Sequence, residues 1–148
     1  MQHSHPSLPS SEPVTIIESA LVVHYLIDAF PQLSSHVLPA ARDPKSAYDR
    51  YTINLLTDTW ANKVGPTALK AQLMCGTEDE PAAADAVYEA IKTHIEPQLA
   101  SALIPDKGPF VGGSQRMTLF EVSFEQTANM HSRPHTYLRP SLYDTMQR

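Results

Sequence analysis

The sequence predicts a mainly α-helical protein, and three observations carry that expectation. Only 5 glycines stand beside 13 prolines, too few flexible residues for the many tight turns of a β-rich fold. Val87, Ile91, Ile95, Leu99 and Leu103 recur at every fourth position, the spacing of one buried helix stripe. Helix-start signals punctuate the chain: Asp43-Pro44, the acids Glu78-Asp79-Glu80 before Pro81, and Thr118 three residues ahead of Glu121.

Residues 1–13 are rich in Ser, Pro and His and are expected to form a disordered arm, with His3 and His5 solvated. Val14-Thr15-Ile16-Ile17 is largely β-branched and reads as a short strand. Ser19 to Phe30 then reads as a helix stopped by Pro31. A strand feeding directly into a helix leaves the free N–H groups of the helix at the turn, where they attract a carboxylate or phosphate. Ser19 adds a hydroxyl there and Glu18 a negative charge able to meet an ammonium. Such a pairing suits the amino-acid end of a small molecule. The same two residues also suit an ordinary helix start, with Ser as a cap and Glu complementing the dipole.

The helix itself is apolar nearly all round: Leu21, Val22, Val23, Tyr25, Leu26, Ile27 and Phe30 do not fit one stripe. It is therefore expected to be covered on two sides. His24 and Asp28 mark its polar edge and read as a surface pair. Residues 32–44, which follow Pro31, carry Pro39 and Pro44 and little periodicity, the signature of a linker. Asp43-Pro44 opens a helix expected to reach Met74, kinked or briefly broken at Gly65-Pro66. Cys75 reads as a half-buried spectator thiol. The next helix runs from Glu80-Pro81 to about Ile104 and bends at Pro97. After the loop Lys107 to Gly113, the Thr118–Glu121 box and the Met117–Val122 staple start another helix. Its apolar pattern lapses after Phe124, so residues 125–148 are expected to be a poorly ordered tail. Pro134 breaks the helical register of His131 and His135, and no metal set is assigned.

Composition narrows the classes. A chain of 148 residues that is 42% hydrophobic holds one core. A net charge of -5 and a pI near 5.7 argue against a nucleic-acid or anionic-membrane surface. No apolar run nears the ~18 residues of a membrane span, and the first residues lack the basic and apolar regions of a signal peptide. One cysteine fits a reducing compartment. A soluble cytoplasmic protein is expected, without nucleic-acid or membrane partners.

Taken in order, these motifs resemble cytosolic glutathione S-transferases, with an omega-like or related flavour. Glu18-Ser19 through Phe30-Pro31 is similar to the family's strand-to-helix segment, and Val37-Leu38-Pro39-Ala40 to its inter-domain linker. Arg42 to Met74 and Pro81 to Ile104, with Ile95-Glu96-Pro97, resemble its first long C-terminal helices. Gly108-Pro109-Phe110-Val111-Gly112-Gly113 followed by Thr118-Leu119-Phe120-Glu121-Val122 resembles its loop and capping-box helix, with Glu121 where Asp is usual. The resemblance implies a transferase-type helical C-terminal domain over 45–124, preceded by a strand-helix remnant of a thioredoxin-like glutathione-binding domain over 14–31. It implies glutathione as co-substrate, with Glu18 on its ammonium and Ser19 on its γ-glutamyl carboxylate. Conjugation to, or reduction of, electrophilic small molecules would follow, with a possible homodimer.

Helix face suggests Tyr48, Tyr51, Leu55 and Trp60 as a hydrophobic substrate pocket. The family's catalytic Tyr, Ser or Cys segment has no counterpart in the first thirteen residues, and its later helices are missing. The catalytic residue is thus unassigned. The second expectation is a non-catalytic, truncated transferase-like module for binding or assembly; the third is an unrelated helical bundle.

Overall fold

The computed structural model describes residues 2–3, 14–104 and 106–130, and among these the protein is mainly helical. Two-residue strands β1 (Gln2–His3) and β2 (Val14–Thr15) pair antiparallel, Gln2 opposite Thr15 and His3 opposite Val14. The expected strand of 14–17 is thus shorter, and its edge is met by the chain's own beginning. The rest of the expected arm, and the expected tail from 131 onward with its histidines, lie outside the described residues.

Helix α1 (Ser19–Ala29) ends where Pro31 starts a single helical turn, α2 (Pro31–Ser34), inside the stretch expected to be all linker. Helix α3 (Pro44–Thr59) begins as the sequence predicts. Asp43 accepts from the N–H groups of Lys45 at 2.9 Å and Ser46 at 3.0 Å, while Ser46 Oγ accepts from Asp43 N–H at 3.1 Å. These donors, Ser46 foremost, hold the exposed Asp43 carboxyl below its ordinary value of 3.8.

The expected break at Gly65-Pro66 takes a specific form. Pro66 has no N–H and its ring would strike the carbonyl one turn back. The backbone widens into a π-helical turn, Trp60–Val64, and Gly65 N–H reaches the carbonyl of Trp60, five residues back. Helix α4 (Gly65–Met74) follows. Cys75 is exposed at its end rather than half-buried.

Pro97 interrupts the next pair without a π turn. Helix α5 (Glu80–His94) and helix α6 (Glu96–Ala102) are separated by Ile95 alone. Ile95 N–H still reaches Ile91 O and Leu99 N–H reaches Ile95 O, both at 2.8 Å, so the buried stripe continues across the break. Val87, Ile91, Ile95 and Leu99 are all in the core, facing Ile53, Leu56, Trp60, Val64 and Ala68 of the α3–α4 arm. Burying each such aliphatic side chain contributes about 1.5–3 kcal/mol. Gln98 Nε2 donates to the buried Thr59 Oγ1 at 3.2 Å and adds a polar tie between α6 and α3.

Helix α7 (Leu119–Met130) closes the core and runs past Phe124, where the sequence pattern predicts its end. Phe124 packs edge-on against Trp60 with ring centroids 4.8 Å apart, and Phe120 lies 6.5 Å from Phe124. The start of α7 is held by Glu121, which is only 3% exposed. Its Oε2 accepts from Thr118 N–H at 2.7 Å and from the Thr118 hydroxyl; its Oε1 accepts from Val111 N–H at 2.9 Å. Glu121 therefore also pins the preceding loop, a 3-10 turn over Val111–Gly113 closed by a bridge between Phe110 and Ser114. That loop leaves no room at Gly108, where a Cβ would come within 2.6 Å of Gly113 O. Leu119 N–H donates to Val37 O at 2.8 Å, so the linker is tied to the same place. Met117 and Val122, the expected staple pair, are both exposed.

Removing the Glu121 carboxylate leaves buried N–H groups without an acceptor, each costing about 1–3 kcal/mol. Glu121→Ala is expected to lower unfolding stability by about 3 kcal/mol in a urea titration read from Trp60 fluorescence. A loss below about 1 kcal/mol would show that the loop is held by packing instead.

Candidate functional site at the start of the first helix

The β2–α1 turn is built from backbone constraints more than from side-chain contacts. Ile16 and Ile17 leave the strand, and Glu18 turns the chain with φ 67° and ψ 119°. Among the described residues, Glu18 is the one non-glycine with positive φ. For a residue with a Cβ this region costs on the order of 1–3 kcal/mol, and strain of this kind concentrates at ligand and catalytic sites. Glycine would adopt it freely.

The turn places Ser19 as the first helical residue and Glu18 as the N-cap, and Glu18 makes no capping hydrogen bond with its side chain. Glu18 therefore does not cap the helix through its side chain. The ladder opens with Val22 N–H on Glu18 O at 2.9 Å. The first-turn N–H groups, which have no partner within a helix, lie at the end of α1 where Ser19 and Glu18 are exposed. Donors with the positive end of the helix dipole thus lie next to a carboxylate. A zwitterion with carboxylate and ammonium on one carbon complements that arrangement.

The structure places the other expected site residues elsewhere. Helix α1 meets α3 through its far end: Arg50 Nη2 donates to Asp28 Oδ1 at 3.0 Å, and Arg50 Nη1 to Pro39 O at 3.3 Å. Asp28 pairs with Arg50 rather than with His24. From Ser19 to Asp28 the helix rises about 14 Å, so the turn sits at the opposite end of α1 from this tie. Tyr48, Tyr51 and Leu55 form one exposed stripe on α3, with the two tyrosine rings 6.2 Å apart and tilted by 37°. Trp60, by contrast, is 6% exposed and packs on Phe124. Of the four residues expected to line a pocket, Tyr48, Tyr51 and Leu55 thus lie on the surface of α3 and Trp60 lies in the core. Its side chain follows the core-facing row Ile53, Leu56, Trp60, a spacing legible in the sequence that the aromatic character of Trp60 obscured.

One expectation about α1 is overturned. Ile27 is buried, yet Leu21 is 60% exposed and Val23, Leu26 and Phe30 are exposed as well. Among the described residues, this apolar helix has cover on the Ile27 side and open apolar surface on the Val23–Leu26–Phe30 side. Between α1, α2, the linker and the first turns of α3 lies an open groove of about 800 Å³, lined among others by Ile27, Asp28, Leu38, Arg42 and Arg50. Among the described residues no group of His, Cys, Asp and Glu is arranged to hold a metal ion. No helix among them is long and apolar enough to cross a membrane. No family model, curated protein or solved structure matches the chain.

The strain at Glu18 is testable apart from any ligand. Glu18→Gly relieves the backbone and is expected to leave the protein as stable, or more stable by up to about 1 kcal/mol, in urea unfolding. A clear loss of stability would show that the Glu18 side chain, and not a ligand, accounts for the turn.

Proposed function

We propose that the chain is a glutathione S-transferase-like protein whose β2–α1 turn seats the γ-glutamyl head of glutathione. The observation that supports this best is the strained, uncapped Glu18-Ser19 turn at the start of α1. In this reading the γ-glutamyl carboxylate accepts from the Ser19 hydroxyl and the first-turn N–H groups. The Glu18 carboxylate meets the ammonium. The order of linker, kinked helix pair and capping-box helix is what the resemblance to the family requires, and it supports the same reading. Glutathione is the co-substrate, and the reaction class is its conjugation to, or its use in reducing, an electrophilic small molecule. The exposed Tyr48–Tyr51–Leu55 stripe is the surface on which an apolar electrophile would rest. No activating donor for the thiol is assigned among the described residues, so what the chain's own groups supply is recognition of the amino-acid head.

Calorimetric titration of glutathione into the wild type and Ser19→Ala tests this seat. A hydrogen bond to a charged group is worth about 1.5 kcal/mol at the low end, so the variant is expected to bind about tenfold more weakly. Absence of binding to the wild type, or equal binding by both, would overturn it.

A second reading, a transferase-like module used for assembly without catalysis, is favoured by the exposed apolar surface. Val23 and Leu26 on α1, and Tyr48, Tyr51 and Leu55 on α3, fall at helical spacing and are between 37% and 67% exposed. Apolar stripes of this kind mark protein–protein contacts, and a second copy of the chain is the partner this reading names. Sedimentation at tens of micromolar is expected to show a dimer that Leu26→Glu shifts to monomer. A wild type that sediments only as monomer would contradict it.

A further inference from the structure

We draw no further inference here: the strongest candidate, the open groove between α1, α2, the linker and the first turns of α3, carries none because Arg50, Asp28 and Asp43 in its lining are already engaged within the fold and nothing in it points to a ligand.

Discussion

The carboxylate of Glu121 is the constraint on which the rest of the structure depends. A buried carboxylate is tolerated only where donors surround it. Here the N–H of Val111, the N–H of Thr118 and the Thr118 hydroxyl converge on it. They come from two segments, the 3-10 turn at Val111 and the start of α7 at Thr118. Fixing those segments fixes where α7 enters the core, and so where Phe120 and Phe124 meet Trp60. The adjacent Leu119 N–H holds Val37, which sets the linker and, with Arg50 on Asp28 and Pro39, the far end of α1. One polar knot thereby reaches from the hydrophobic core to the helix that carries the candidate site.

The helical body shows how prolines can interrupt helices without interrupting a core. Pro66 and Pro97 each remove a donor and crowd the previous turn. In one case the chain answers with a π turn, in the other with a single intervening residue, Ile95. In both, the side chains at the break, Trp60 and Val64 in the first and Ile95 in the second, are buried. The interruptions therefore fall on residues whose packing holds them in place.

Much of this was legible from spacing alone. The stripe from Val87 to Leu99 and the caps at Asp43 and Glu121 rest on short-range geometry, which sequence periodicity encodes directly. The breaks at Pro66 and Pro97 were legible for the same reason, though the π form of the first was not: it depends on how Trp60 and Val64 pack. The continuation of α7 past Phe124 was missed because the polar residues after it carry no periodic apolar signal. The exposure of α1 was also missed. A helix apolar on all sides implies cover, but periodicity cannot say whether that cover is within the same chain. At the candidate site, the residues Glu18 and Ser19 were legible as a pair. The positive φ of Glu18 was not, since no rule of composition places a glutamate in that region; only the backbone shows it.

What sets the Glu18-Ser19 turn apart from an ordinary helix start is thus a non-glycine N-cap with positive φ whose side chain makes no capping hydrogen bond. A cap would have satisfied the helix end, and a glycine would have turned the chain without cost. The most direct measurement is an amide correlation spectrum of the full chain titrated with glutathione. The largest shifts are predicted at the backbone amides from Glu18 to Val22, with the core amides around Ile95 and Phe120 unmoved. Saturating glutathione that leaves those turn amides unchanged, or that moves only residues elsewhere, would contradict the account.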